Sequence, residues 1–286
     1  MTYRQLYAFG VEMLAQAGIT EAELDARLLL EYICHTDRNA LLVYGDSERS
    51  SLEEQFYREV ISRRAAHIPL QHITGEQEFM GLSFRVNEHT LIPRQDTEIL
   101  VEEAMRYLGD GMRILDLCTG SGCILLSLLR YSNRCEGIGI DISPEALAVA
   151  RENAVRLGLE AVFLEGDLFA PLKRPEDVRD ADGLFDIIIS NPPYIETAVI
   201  ETLMPEVREH EPLQALDGRA DGLFFYREII GQAAAYMRAG AWIFFEIGYN
   251  QGAAVRELLE KNGFADAKTV QDYAGLDRVV LARKSG

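Results

Sequence analysis

Residues 113–130 read RILDLCTGSGCILLSLLR and contain two apolar runs on either side of a glycine-rich stretch. The first run, 113–117, has the length of a buried β-strand, and the second has apolar residues at helical spacing. Glycines at a strand–helix turn allow the backbone to approach a ligand closely. The stretch therefore predicts a strand, a ligand-binding turn and a helix, which together form one repeat of an α/β sheet.

The same alternation of helix and strand runs from about residue 97 to the end of the chain. Strands are predicted at 113–117, 137–141, 161–167, 186–190 and 241–247, with a final pair near 267–282. Short apolar strands separated by amphipathic helices are typical of a parallel sheet with helices on both faces. Such sheets bind ligands at the carboxyl ends of their strands, so polar residues directly after strands are the candidate site residues.

The N-terminal 75 residues differ, because they contain three runs with helical spacing and no cluster of catalytic side chains. The second helix is predicted to be capped by Thr20 with Glu23, and the third by Ser51 with Glu54. In each pair a hydroxyl residue stands three positions before a glutamate, as in a capping box.

The change of pattern along the chain predicts three parts. Residues 1–75 form a small helical domain. Residues 76–92, with apolar residues on both sides of Gly81, form a β-hairpin that links two domains. Residues 93–286 form the larger α/β domain.

Charge limits the classes of partner. The 286 residues include 46 acidic and 28 basic side chains, a net charge of −18. A chain this acidic is repelled by phosphate backbones, so we expect no direct nucleic-acid binding. Arg63, Arg64 and His67 make the compact cationic group of the N-terminal part. We interpret them as a solvated helix face rather than a binding patch, with a weak docking role as the alternative.

Other classes are disfavoured by what the sequence lacks. Four cysteines are too few for a disulfide scaffold, and no run of about 18 apolar residues exists to span a membrane. The histidines show no spacing typical of metal ligands, so we expect no metal. We expect a cytoplasmic protein that acts as a monomer and does not bind membranes.

Acidic side chains stand at the ends of the first three strands. Asp116 precedes the glycine loop and suits a cationic amino group on a ligand. Asp141 follows Gly122 by 19 residues, where a carboxylate can accept two hydrogen bonds from a ribose diol. Asp167 can accept from an adenine amine, with Leu168 covering the ring. The loop lacks the third glycine of a dinucleotide fingerprint.

Together these residues resemble the seven-stranded class of S-adenosylmethionine-dependent methyltransferases. Their fold is a Rossmann-like class I core, and the resemblance implies S-adenosyl-L-methionine as cofactor and S-adenosyl-L-homocysteine as product. Cys118 stands where the first glycine of the class's loop is usual. The implied cofactor contacts are Asp116, Cys118, Thr119, Gly120, Ser121, Gly122, Asp141, Asp167, Leu168 and Asn191.

Asn191-Pro192-Pro193-Tyr194 follows the fourth predicted strand. Prolines alone can simply end a strand, but this does not explain Asn191 and Tyr194. An amide nitrogen is a poor nucleophile because its lone pair is delocalised. The Asn191 side-chain oxygen and the Pro192 carbonyl can each accept one N–H of a planar amine, and Tyr194 can stack on it. We predict that Asn191, Pro192 and Tyr194 are catalytic and that all four residues bind substrate.

Further segments resemble the PrmC/HemK family of protein-(glutamine-N5) methyltransferases, which act on peptide chain release factors. They are PLQHITG at 69–75, LIPRQDTE at 91–98, EPLQAL at 211–216, EIG at 246–248 and GLDR at 275–278. The resemblance implies methylation of the side-chain N5 of the glutamine in the Gly-Gly-Gln motif of class I release factors, which modulates translation termination. It also implies that residues 1–75 dock the factor. The chain departs from the family at Arg219, where a second glycine is usual, and at His72.

Two other functions stay open at this point. Similar NPPY motifs occur in DNA adenine and RNA guanine amino-methyltransferases, although the negative charge disfavours both. A non-catalytic scaffold that binds the cofactor and docks on translation factors is the alternative from another class. The intact asparagine and prolines weaken that alternative.

Overall fold

A computed structural model describes residues 1–172 and 184–285 of the chain. The helices are α1 (Tyr3–Gln16), α2 (Ala22–Cys34), α3 (Arg38–Val43), α4 (Ser51–Ala65), α5 (Leu70–Thr74), α6 (Gln95–Met105), α7 (Cys123–Arg130), α8 (Pro144–Leu157), α9 (Thr197–Ile200), α10 (Pro205–Arg208), α11 (Phe224–Tyr236) and α12 (Gly252–Lys261). The strands are β1 (Glu76–Phe79), β2 (Leu82–Arg85), β3 (Arg113–Leu117), β4 (Glu136–Asp141), β5 (Val162–Glu165), β6 (Phe185–Ser190), β7 (Met237–Glu246), β8 (Phe264–Gln271) and β9 (Asp277–Lys284).

The chain divides into two compact units. The first comprises Met1–Glu76 together with Met204–His210, and the second comprises Gln77–Leu203 and the chain from Glu211 onward. The first unit is therefore discontinuous in sequence, because α10 belongs to it. Across the described residues no helix is long and apolar enough to cross a membrane.

The helices of the first unit are present, but the predicted caps of two of them are wrong. α2 has no side-chain cap, so the pairing of Thr20 with Glu23 does not form. The cap of α4 is Ser50, whose hydroxyl accepts from the Glu53 amide while Glu53 accepts from the Ser50 amide. Two serines followed by two glutamates offer the same capping-box spacing twice, and the prediction chose Ser51.

The interpretation of the basic group at the end of α4 as a solvated face is also wrong for Arg64. Only 7% of Arg64 is exposed. Its Nε donates to Asp25 at 2.7 Å and its Nη2 to Glu206 at 3.1 Å. His67 Nδ1 lies 3.0 Å from the same Glu206 oxygen. Arg63 remains exposed. Arg64 is therefore the centre of a buried ion-pair cluster inside the first unit.

The second unit is built on a seven-stranded sheet with the order β5-β4-β3-β6-β7-β9-β8. The neighbours from β5 to β7 pair in parallel, and β9 pairs antiparallel with both β7 and β8. This confirms the predicted α/β fold, and the structure shows that the final pair of strands is antiparallel. The predicted span 113–117 matches β3 residue for residue.

Burial on both faces explains why β3 is almost continuously apolar. Ile114 packs into one apolar cluster, and Leu115 and Leu117 pack into another, all three fully buried. Because successive side chains of a strand point to opposite faces, the two clusters lie on opposite sides of the sheet. Asp116 shares the face of Ile114 and is the buried polar residue of the strand.

The hairpin β1–β2 packs into the second unit. Phe79 and Phe84 are almost fully buried in the same cluster as Ile114. Asn153 on α8 hydrogen bonds with both the amide and the carbonyl of Arg85. The strands of the hairpin cover 76–85, and residues 86–92 of the predicted hairpin lie outside them. Its role as a link between functional domains stays a prediction.

Candidate active site

A cavity of about 640 Å³ opens at the carboxyl ends of β3, β4, β5 and β6. This is the edge at which parallel sheets bind ligands. Of the residues predicted from sequence, those on its wall are Cys118, Thr119, Gly120, Ser121, Asp141, Asp167, Leu168, Asn191 and Pro193. The structure thus brings the glycine loop, the strand-end acids and the asparagine of the NPPY turn to one cavity.

The glycine loop takes a left-handed backbone at three positions. Gly120 and Gly122 have φ of +55° and +78°, and Cys118 has φ of +60°. A side chain is disfavoured in this region by about 1–2 kcal/mol, which explains why glycine is usual at the position of Cys118. No atom lies within 4 Å of where a Cβ of Gly120 would stand, so the backbone there is open to a ligand.

Asp141 is fixed by the loop. Its Oδ2 accepts from the Gly120 amide at 2.8 Å and its Oδ1 from the Ser143 amide at 3.0 Å. Each carboxylate oxygen keeps a further lone pair for a ligand hydroxyl. Burial raises the pKa of Asp141, although both amide bonds oppose the shift. Ile142, 58% exposed, lies beside it on the cavity wall. Sequence reasoning missed Ile142, although a large apolar residue directly after a strand-end acid was a visible signal.

Asp116 does not line the cavity. It is completely buried, and its Oδ2 accepts from the Thr119 hydroxyl at 2.6 Å. Thr119 itself is on the cavity wall, so the Thr119 side chain separates Asp116 from the cavity. Burial raises the pKa of Asp116 to about 7, with a smaller contribution from the charge of Asp141.

A pH-dependent stability follows from the raised pKa of Asp116. The unfolded carboxyl titrates near 3.9, so between about pH 4 and pH 7 the folded protein holds a proton that the unfolded chain lacks. The contribution of Asp116 to the free energy of unfolding is fully present below pH 4 and is lost as the pH rises through about 7. We expect Asp116→Asn, which stays neutral, to gain stability relative to the parent protein as the pH rises from 5 to 8.

Urea unfolding without cofactor measures this difference, because the single tryptophan, Trp242, lies on β7 and reports on the second unit. Asp141 contributes a slope of the same sign, so the variant keeps a residual pH dependence. A stability difference between the two proteins that does not change with pH would contradict a neutral Asp116.

The NPPY turn begins where Ser190, the last residue of β6, donates its hydroxyl to the Leu117 carbonyl at 2.7 Å. Asn191 follows on the cavity wall. Within 1–172 and 184–285, no group hydrogen bonds with the Asn191 carboxamide. A carboxamide that faces a cavity with unused acceptor and donor groups is suited to bind a planar amide.

The Tyr194 side chain does not line the cavity, and Pro192 is also absent from the cavity wall. The Tyr194 hydroxyl donates to Glu246 Oε1 at 3.2 Å, and burial raises the pKa of both groups. The phenylalanine rings on the cavity wall are Phe224 and Phe225. Sequence reasoning assigned stacking to Tyr194 and did not single out these two, which are the first residues of α11.

An ion pair braces another wall of the cavity. Arg94 Nη2 lies 2.6 and 2.7 Å from the two carboxylate oxygens of Glu211. The Glu211 side chain is 1% exposed, and Arg94 lines the cavity. Burial raises the pKa of Glu211, and the Arg94 charge opposes that shift. The pair joins 91–98 to 211–216, two segments that sequence reasoning had singled out only by resemblance.

The sheet order, the open glycine loop and the acid at the end of β4 define a class I methyltransferase, and a methyltransferase-domain family model matches residues 108–239. The PrmC N-terminal domain family matches residues 5–75. Two curated relatives are 42% and 43% identical to this chain over 99% of its length. The chain therefore belongs to the release factor glutamine methyltransferase family.

Those two relatives are both named release factor glutamine methyltransferase. The one from Geobacter sulfurreducens is 42% identical over 282 residues, which cover 96% of its length. The one from Moorella thermoacetica is 43% identical over 288 residues, which cover 98% of its length. A crystal structure of a methyltransferase from Pyrococcus furiosus superposes with a TM-score of 0.56 and 16% identity, covering 79% of this chain and all of the other. That structure supports the fold alone.

Proposed function

We propose that this enzyme transfers a methyl group from S-adenosyl-L-methionine to the side-chain N5 of the glutamine in the Gly-Gly-Gln motif of class I release factors. The observation that carries the proposal is the unpaired Asn191 carboxamide on the wall of the cavity that also holds Asp141 and the glycine loop. Kinship with release factor glutamine methyltransferases along nearly the whole chain supports the same substrate.

The residues at the ends of β3, β4 and β5 fit the cofactor. The space over Gly120 admits a ligand against the backbone, and Asp141 has lone pairs for the ribose hydroxyls. Ile142 and Leu168 offer apolar cover for the adenine, and Asp167 offers an acceptor for its amine. When bound, the cofactor supplies a methyl group on a sulfonium, which is an excellent leaving group.

Asn191 and Pro192 would then do the work of positioning. The Asn191 Oδ1 accepts one N–H of the glutamine amide. We keep the Pro192 carbonyl as the proposed acceptor of the other N–H, although Pro192 does not line the cavity. Two acceptors fix the nitrogen and favour the pyramidal geometry that aims its lone pair at the methyl carbon. Because the leaving group is good, positioning supplies most of the acceleration and no strong base is needed. The proton leaves after transfer, when the nitrogen has become acidic.

The experiment that tests this function uses S-adenosylmethionine with a labelled methyl group. The protein is incubated separately with a class I release factor, duplex DNA and ribosomal RNA, and the labelled residue is located by mass spectrometry. Label on the Gly-Gly-Gln glutamine supports the proposal, and label on nucleic acid overturns the substrate. Cofactor binding without label on any of the three would favour the non-catalytic scaffold.

The cofactor contact at Asp141 has its own test. Asp141→Ala removes both ribose hydrogen bonds to a charged acceptor, each worth about 1.5–3 kcal/mol before water compensates. We expect calorimetry to show at least tenfold weaker binding of S-adenosylmethionine. Glu145→Ala, at a nearby exposed carboxylate on α8, serves as the control and should bind normally. Unchanged affinity in Asp141→Ala would place the ribose elsewhere.

We also propose that the first unit docks the release factor. Truncation at Glu76 is a poor test, because Glu206 would lose Arg64 and His67. A better test compares the intact factor with a short Gly-Gly-Gln peptide on the full-length enzyme. Docking outside the active site predicts a much higher kcat/KM for the intact factor, and equal values would refute it.

A further inference from the structure

One buried carboxamide connects the NPPY turn to the rest of the second unit. Gln251 directly precedes α12, and only 8% of it is exposed. Its Nε2 donates to the Tyr194 carbonyl at 3.0 Å and to the Gly222 carbonyl at 3.3 Å. Its Oε1 accepts from the Gly248 amide at 2.9 Å. The Tyr226 hydroxyl also lies 3.3 Å from this oxygen.

The partners determine the orientation of this side chain. Backbone carbonyls only accept hydrogen bonds and a backbone amide only donates, so Nε2 must face Tyr194 and Gly222, and Oε1 must face Gly248. Three of the four hydrogen-bonding positions of the amide are then used, because the single proton of the Tyr226 hydroxyl is donated to the nearer Glu246 carbonyl at 2.9 Å. Glutamine suits this site because glutamate has no donor for the two carbonyls when it is ionised.

Two glycines allow the chain after the NPPY turn to fold back against it. A Cβ on Gly218 would stand 2.7 Å from the Tyr194 Cα and carbonyl carbon, and a Cβ on Gly222 would stand 2.4 Å from the Tyr194 oxygen. The Ile195 amide donates to the Leu216 carbonyl, and the Gly218 amide donates back to Ile195. The loop 216–222 is therefore in backbone contact with the turn on one side, and Gln251 holds both from the other.

We propose that Gln251 is a positioning residue for methyl transfer, acting through the Tyr194 carbonyl to set the position of Asn191 and Pro192. It does not line the cavity and touches neither ligand, so its effect must pass through the turn. Loss of its two donated bonds leaves two carbonyls without their partner and lets the turn shift. This inference rests on the proposed function for its kinetic readout, and a second readout is independent of it.

Gln251→Met keeps the length of the side chain and removes every hydrogen bond. We expect its single-turnover methyl transfer to be slower by about tenfold to hundredfold, because displacement of a reacting group by an ångström costs that much. S-adenosylmethionine affinity should stay within about twofold, since Gln251 is not on the cavity wall. Asn250→Ala, at the adjacent exposed position, is the matched control and should react at the parent rate.

Gln251→Glu separates positioning from a general loss of stability. Ionised, this side chain presents an oxygen to two carbonyl oxygens, and protonated it donates to one of them. We therefore expect its turnover, divided by that of the parent at the same pH, to rise as the pH falls from 8 to 6. Because burial of a carboxylate also lowers stability as the pH rises, the two rates are compared only under conditions in which urea unfolding shows both proteins to be fully folded.

Hydrogen exchange supplies the readout that needs no substrate. In Gln251→Met the amides of Ile195, Thr197 and Gly218 should exchange faster, while those of β3 and β6 stay protected. If the parent protein fails to label a release factor, the proposed function falls and exchange still decides the role of Gln251. Parent-like turnover in Gln251→Met, or unchanged exchange at these three amides, would overturn the positioning role.

Discussion

Asn191→Ala is expected to slow single-turnover methyl transfer by about 10²–10³-fold. The estimate follows from deletions of comparable preorganised groups that act on a reacting centre. Alanine removes the acceptor that would hold the substrate nitrogen and favour its pyramidal form, and that interaction is strongest in the transition state. The loss should therefore appear in turnover much more than in cofactor binding.

Asn191→Asp provides the graded comparison. It keeps an acceptor and adds a charge, so it should retain more activity than the alanine variant. Single-turnover transfer to the Gly-Gly-Gln glutamine, followed by peptide mass spectrometry, gives both rates. An alanine variant that methylates this glutamine at the parent rate would refute the mechanism. Methylation at a different residue by the parent enzyme would leave the chemistry intact and change the substrate.

The second large effect is on stability and concerns Arg64. Arg64→Ala leaves Asp25, 7% exposed, without its cation and removes the arginine partner of Glu206. Breaking a buried ion pair by removing one partner costs about 3–5 kcal/mol, because a charge stays buried and uncompensated. We expect a loss of this order in the first unit, measured by native-state hydrogen exchange of the amides in α2 and α4.

Arg63→Ala is the natural control, because it removes the same side chain from the neighbouring exposed position. Substitutions at such surface sites change stability by about 0.5 kcal/mol or less. Equal protection of α2 and α4 in the two variants would mean that the ion-pair cluster does not stabilise the unit. Trp242 lies in the second unit and should report little change in either variant.

The fold was readable from sequence because its central strands are buried on both faces. β3 is apolar except for Arg113 at its start and Asp116, and the glycine-rich stretch directly after it favours a short strand over a helix. β7 begins at Met237, four residues before the predicted start. Arg238 and Gly240 hid its beginning, since charged and glycine residues read as a loop.

The sequence predicted only those residues of the candidate site that a local pattern marks. Acids and an asparagine at strand ends are visible because the parallel sheet brings those ends together. The bond from Gln251 to Tyr194 spans 57 residues, and a glutamine after a strand looks like any loop residue. Arg64 looked solvated because its partners, Asp25 and Glu206, lie 39 and 142 residues away.

The discontinuity of the first unit has a consequence for biosynthesis. Glu206 leaves the ribosome about 130 residues after Glu76, which at ~5–20 residues per second is a delay of roughly 7–26 s. Until then Arg64 is paired with Asp25 but lacks Glu206, and His67 lacks the same carboxylate. The ion-pair cluster of the N-terminal helices can therefore form completely only after a segment from the middle of the protein has been synthesised.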